Sequence, residues 1–371
     1  MTDSDFAVIG GGLLGSALAY RLARHARTVL LIDRDDPGRA TSAGAGILAP
    51  HTNPRLEGGI LAFALAAARY YAELGDELRA DGFPEIGYGR SRVLVVAGPD
   101  DDLHRFAEIR DHLIGRHPDV VRDVSAAEAV ALCPPISSPA ATLLSAEGAR
   151  VDGQLLNAAL LAAGRRRGVS ELTADVVAIQ AYSDRAEIVL GSGQTRSARS
   201  VVIAAGAWTA GLVAGLGVNL PVVPQRGQIV HLQVDRVDTG SWAIVEGLRG
   251  HYLLPWPGGR IVAGATRENG TGFEPLLTAG GCLEVVQEAL RLAPSLRSAR
   301  IREWRVGLRP LSQLARPIVG RLPGSDVIAV ATGHGADGLL LGPYSARLLA
   351  DSLLSGRSEP RLAPFAVPGG D

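Results

Sequence analysis

The sequence predicts a mixed α/β fold (α+β overall): a Rossmann-like dinucleotide-binding domain interleaved with a smaller domain built on an antiparallel sheet. Three observations predict it. A G-x-G-x-x-G turn joins an apolar run to a helical pattern at the very start of the chain. Apolar strands running into small-residue turns recur near the middle (200–208) and near the end (327–335). Between them, roughly over 85–140 and 220–300, lie meander-like stretches of short half-buried strands.

The first unit is the most informative. Phe6, Ala7, Val8 and Ile9 form a short apolar run of the kind that makes a buried parallel strand. Gly10, Gly12 and Gly15 follow, and then Leu14, Leu18 and Leu22 recur at helical spacing. A second apolar run over 28–32 ends in Asp33. Strand, glycine turn, helix, strand and acid, in that order, define a dinucleotide-binding βαβ unit. Gly10 allows the tight turn, Gly12 lets the backbone approach a pyrophosphate, and Gly15 lets helix and strand pack closely. The helix N-terminus offers unpaired N–H groups and partial positive charge to phosphates. Asp33 accepts from ribose hydroxyls in such a unit.

After it, the small residues of 41–50 (TSAGAGILAP) are too glycine-rich for a helix interior and suit a backbone lying flat against a ligand, or a linker. Helices are expected over 61–78, 100–114 and 125–132, the last with Ser125 as N-cap and Glu128 at the capping-box position. Another is expected over 151–167, with Asp152 as a cap. Strands are expected over 92–97, 169–179, 186–190, 200–205, 228–234, 250–254 and 260–265. A helix over 283–292 is bounded by Pro294, and the strand of 327–331 leads into a glycine-rich turn and a helix over 339–354.

Bulk properties narrow the function. A chain of 371 residues is long for one core, which argues for two domains or an interleaved pair. A formal net charge of −1 argues against nucleic acid or an anionic membrane as the main partner. Cys133 and Cys282 give neither a metal-ligand spacing nor a disulfide framework, so no metal is expected. With no apolar run of membrane-spanning length and no charged n-region, a cytoplasmic protein is the expectation.

The order of these motifs resembles the FAD-dependent D-amino acid oxidase superfamily, most of all its glycine oxidase-like branch. The resemblance spans nearly the whole chain. It rests on IGGGLLGSALAYRLA with Asp33, TSAGAGILAP, VVIAAGAWT, HYLLP…GRIVAGAT, and WRVGLRP followed by PIVGRLPG and ATGHGADGLLLGPYSARLLAD. It implies a FAD-binding domain over 1–84, 141–218 and 302–371 and a substrate domain over 85–140 and 219–301. It also implies oxidation of the CH–NH bond of glycine, a small D-amino acid or an N-substituted glycine. Hydride transfer to flavin N5 would give an imine and then a 2-oxo acid, with dioxygen or another acceptor reoxidising the flavin.

By the same resemblance, Gly10, Gly12, Leu13, Leu14 and Gly15 meet the FAD pyrophosphate, and Asp33 with Arg34 the adenosine ribose. Ala40, Thr41, Ser42, Ala45, Gly46 and Ile47 pass the pyrophosphate and flavin ring, and Val176 contacts adenine. Ala205, Gly206 and Trp208 close the middle strand. Gly333, His334, Gly335, Ala336, Asp337, Gly338, Leu339 and Leu340 form the last turn, aimed at the flavin pyrimidine. No cysteine lies near that turn or the 41–47 segment, so FAD is expected to be non-covalent.

The resemblance makes Arg309 and Tyr252 the substrate pair, a planar guanidinium and a phenol that clamp a carboxylate. His51, His334 and Ala336 are further candidates for the substrate cavity. The chain departs from the branch at Ala336, where a basic residue is usual, at 312–316, and at Trp256 after Pro255. Taken on the residues alone, Arg309 also suits a surface salt bridge and Tyr252 a packing role. Rival functions are a dehydrogenase using a quinone or carrier, a 2-hydroxy-acid oxidase, and a flavin-binding subunit of a hetero-complex. Oligomeric state is left open, a homo-oligomer included.

Overall fold

The computed structural model describes residues 3–25, 27–98, 100–137 and 139–369; the remaining residues of the expected 1–84, 85–140 and 302–371 segments lie outside it. Two sheets organise the chain. The first has eight strands, with Ile318–Arg321, Ile328–Thr332, Thr195–Ile203, Ser4–Ile9, Val29–Asp33 and Ser170–Thr173 in spatial order. Ser4–Ile9 runs parallel to both Val29–Asp33 and Thr195–Ile203, and Ile328–Thr332 extends the parallel set.

Both faces of this sheet are covered, which explains why its strands read as continuous apolar runs. Phe6 and Val8 point into one core with Leu18, Leu22, Tyr71, Leu74, Leu160 and Leu348. Ala7 and Ile9 point into the opposite core with Ile179, Ile188, Val201 and Ile203. The first core is built by helices Leu13–Ala23, Gly58–Ala80, Gly153–Arg166 and Gly338–Ser355.

The second sheet has ten strands. Most pairs are antiparallel, but Ile244–Gly247 runs parallel to Tyr88–Ala97. Its long strands are Val222–Gln233, Arg300–Ser312 and Ala141–Val151. The last two, grouped by sequence with the first unit from 141 and 302 on, pair here instead: Arg300–Ser312 against Val222–Gln233, and Ala141–Val151 against Tyr88–Ala97.

Local signals held where capping chemistry was clear. The Asp152 carboxylate accepts from Gln154 N and Leu155 N, so the helix starts at Gly153 and Val151 belongs to the preceding strand. Ser125 Oγ accepts from Glu128 N at 3.2 Å. The expected strand over 169–179 is two, Ser170–Thr173 and Val176–Ala181, because the chain leaves the parallel edge and turns into an antiparallel hairpin. Among the described residues no helix is long and apolar enough to cross a membrane.

Candidate active site

A cavity of about 840 Å³ lies where the two sheets meet. One wall is made by the carboxyl ends of the parallel strands, at Ile9, Asp33, Ala204 and Thr332. The other is a face of the ten-stranded sheet, with Val95, Gly227, Glu246, Tyr252 and Arg309. Open α/β sheets bind ligands at such strand ends.

The nucleotide end follows from glycine geometry. Gly10 has φ +108°, and a Cβ there would sit 2.4 Å from Ala204 O. A Cβ on Gly15 would sit 1.8 Å from Gly10 O, so helix and turn close only with glycine at both places. Gly12, by contrast, meets only Thr41 Oγ1, at 3.2 Å, and its face is open to the cavity. Leu13 N donates to that hydroxyl at 3.0 Å, tying the 41–47 segment to the helix start. Gly46, at φ +97°, packs on Val151 O, and Gly44 packs on Leu339. The Asp33 carboxylate accepts from Gly11 N and pairs with Arg39, while Arg34 pairs with Asp36 and Asp175. An open glycine turn at a helix N-terminus, with an acid on the next strand, fits a dinucleotide pyrophosphate and ribose.

At the other end, Arg309 Nη1 donates to Thr266 O at 3.0 Å and Gln225 Oε1 at 3.3 Å. Among the described residues it has no ion pair. Burial pushes its guanidinium down and the Tyr252 phenol up, and each stabilises the other's charged form. Arg267, Arg55 and Arg105 stand exposed around the same cavity, without carboxylate partners among the described residues. Glu246 accepts from Thr52 Oγ1 at 2.7 Å, and burial brings its carboxyl up to about 7. Burial also raises the Asp337 carboxyl.

Most residues expected from the sequence line this cavity: Gly10, Gly12, Leu13, Leu14, Asp33, Arg34, Ala40, Thr41, Ala45, Gly46, Ile47, Val176, Ala205, Gly206, Trp208, Tyr252, Arg309, and His334 to Leu340. Gly15, Ser42, Gly333 and His51 are not part of its lining. Gly15 and Gly333 serve packing, Gly333 at φ +77° against Ser312 and Ile318. Ser42 Oγ donates to Arg39 O. His51 turns its ring onto His117, centroids 4.9 Å apart, and towards Glu147. His334 borders the cavity, but its Nε2 lies 3.0 Å from Ser345 Oγ and burial pushes its pKa down to about 4, so it is neutral. Sequence reasoning missed Glu246, Thr52, Arg55 and Arg267; only Arg267, one residue beyond the VAGAT motif, had a nearby signal.

Fold and site together define a dinucleotide-binding protein, and comparison with known proteins gives the family. Residues 5–352 match the DAO family, FAD dependent oxidoreductase, and the chain belongs to it. FAD is therefore its cofactor. It is 33% identical to the uncharacterized oxidoreductase YurR of Bacillus subtilis, over 98% of this chain and 99% of that one. It is 30% identical to glycine oxidase of Geobacillus kaustophilus, over 98% and 96% of the two chains. Among solved structures, iminodiacetate oxidase (IdaA) from Chelativorans sp. BNC1 superposes with a TM-score of 0.92 at 37% identity, covering 98% of this chain and 100% of that one. Glycine oxidase from G. kaustophilus superposes with 0.90 at 27% identity, covering 99% of each.

Proposed function

We propose that the protein is an oxidase of carboxylate-bearing amines. Its substrate is glycine, a small D-amino acid or an N-substituted glycine, and its products are an imine, then a 2-oxo acid, and hydrogen peroxide from dioxygen. Arg309 carries this reading. A cation in a cavity whose hydrogen bonds, among the described residues, go to a carbonyl and an amide oxygen is costly unless an anion joins it. A carboxylate does so through two parallel hydrogen bonds, and the Tyr252 hydroxyl donates a third. Fixing the carboxylate fixes the adjacent C–H, and such positioning contributes up to about 7–11 kcal/mol to a rate.

FAD, when bound, supplies the two-electron acceptor. Gly12, Leu13 and Leu14 would hold its pyrophosphate, Asp33 its ribose, and the 335–340 turn its ring end, where helix N–H groups favour negative charge. Cys133 sits in the core of the second sheet and Cys282 on helix Ala279–Leu292, so neither thiol reaches the cavity and the cofactor is held non-covalently. In this division the parallel sheet carries cofactor contacts and the ten-stranded sheet carries Arg309, Tyr252 and Glu246.

The unpaired arginines at 55, 105 and 267 favour a substrate with a second anionic group, as in iminodiacetate. The similarity to an iminodiacetate oxidase supports the same choice. The test is aerobic incubation of the holoenzyme with glycine, sarcosine, iminodiacetate, D-alanine and glycolate, following peroxide and 2-oxo acid. Peroxide with glyoxylate from iminodiacetate or glycine is expected. Turnover of glycolate alone contradicts the amine reading, and flavin reduction without peroxide makes the enzyme a dehydrogenase.

A further inference from the structure

We propose that Glu246 takes the proton from the substrate's ammonium, so that the amine reaches the redox step neutral; this rests on reading the cavity as an amine-oxidation site. Glu246 stands directly opposite Tyr252 in the antiparallel pairing of Ile244–Gly247 with Tyr252–Pro255. Opposed residues project from the same face, with Cβ atoms about 4.5–5.5 Å apart. Both side chains therefore enter the cavity side by side, and both line it. Tyr252 stands between Glu246 on one neighbouring strand and Gly264, beside its hydroxyl, on the other, and the amine is taken to lie on the Glu246 side of the ring.

The Glu246 carboxyl is built to be available. Thr52 donates to Oε2, and the described residues supply no other hydrogen bond and no salt bridge. Around it stand Arg55 from the loop after Ile47–Leu48, which favours the carboxylate, and Asp337 from the 335–337 turn, which opposes it. Tyr252 is neutral beside it, and Arg267 and Arg309 lie beyond that ring. Burial outweighs these and leaves the group titrating near neutrality, at about 7. Of the other bases at the cavity, His251 turns its Nε2 to Glu284 at 3.1 Å. The chain has no lysine, His51 and His334 turn their rings away, and Asp337 sits at the start of helix Gly338–Ser355.

An alkyl ammonium titrates near ~10, so at pH 7 roughly one molecule in a thousand is neutral. A carboxylate beside it gives that proton an acceptor within the cavity. The N–H bond breaks, an O–H bond forms on Glu246, and nitrogen keeps the electron pair it needs before its α-hydrogen leaves as hydride. After product leaves, the proton passes to solvent at the cavity mouth.

The experiment is anaerobic flavin reduction by glycine and by iminodiacetate between pH 5.5 and 9.5, in wild type and Glu246→Gln. Wild type is expected to lose rate per bound substrate below about pH 7. Glu246→Gln, with its FAD content unchanged, is expected to lose that limb and to fall by roughly 100-fold at pH 7.5. Thr52→Val, which removes the hydrogen bond favouring the carboxylate, is expected to move the limb to higher pH. Binding gives a readout independent of turnover. 2-Aminoisobutyrate, which lacks a Cα–H, is expected to bind wild type more tightly than isobutyrate above pH 7, and Glu246→Gln to lose about tenfold of that preference. A Glu246→Gln enzyme that keeps both the acid limb and the ammonium preference overturns the proposal. A wild type that no amine reduces overturns the reading of the site along with it.

Discussion

The guanidinium of Arg309 lies on the bare face of Gly227. A Cβ added at Gly227 would sit 2.3 Å from Nη2 and 2.5 Å from Cζ, too close for both to stay. Gly227 pairs with Gly307, two residues before Arg309, so the neighbouring strand provides the shelf on which the arginine rests. Gly227→Ala is expected to displace the guanidinium and raise KM for carboxylate substrates about tenfold, since misplacement of a positioning group costs up to about 100-fold. FAD content, read from visible absorption, is expected to stay at wild-type level.

Arg309→Ala removes the anchor itself. Loss of a buried charge-assisted pair costs about 2–5 kcal/mol, so kcat/KM for every carboxylate substrate is expected to fall by more than about 30-fold with FAD still bound. Arg309→Lys is expected to recover little, because an ammonium lacks the planar fork. Steady-state kinetics on both variants check this.

Arg267 stands at the mouth, and its hydrogen-bond partner among the described residues is Gly250 O at 3.1 Å. Arg267→Ala is expected to lower kcat/KM for iminodiacetate by about fivefold relative to glycine, an exposed charge contact being worth about 1 kcal/mol. The ratio of the two substrates, measured on one preparation, is the check.

Much of the nucleotide half was legible because its chemistry is local. Gly10, Gly12, Gly15 and Asp33 announce a βαβ unit by spacing alone, and the caps at Ser125 and Asp152 rest on side chains a few residues from the amides they satisfy. The substrate half was less legible. Arg300–Ser312 alternates charges with a glycine and a proline, and it becomes a strand through its long pairing with Val222–Gln233. Nothing in the local IVEG run marks Glu246; its place beside Tyr252 comes from the pairing, and Thr52 reaches it from far along the chain. His51 follows the ligand-facing segment, but its ring packs edge-on against the half-buried His117 and so faces elsewhere.

At Gly10 the backbone is at φ +108° and a side chain would strike Ala204 and Ala205. Gly10→Ala is expected to destabilise the protein by at least about 1–3 kcal/mol and to lower FAD occupancy together with Tm. Thermal unfolding and the flavin-to-protein absorbance ratio measure the two effects.

Glu246 links stability to pH. Its folded value of about 7 lies above the ordinary 4.5, so the folded state binds the proton more tightly than the unfolded chain does. The associated stability is present below about pH 4.5 and is lost as pH rises through about 7. Glu246→Gln, a neutral mimic of the acid form, is therefore expected to match wild type near pH 5. At pH 8 it is expected to be more stable, by on the order of 2–3 kcal/mol at most. Tm of the two holoenzymes across that range is the measurement.

The account turns on an amine held by its carboxylate against the bound flavin. Anaerobic mixing of the yellow holoenzyme with glycine or iminodiacetate, in wild type and Arg309→Ala, tests it most directly. Saturable bleaching in wild type, with saturation lost in Arg309→Ala, is the expected result. Bleaching that is equally fast and equally saturable in both would contradict the account.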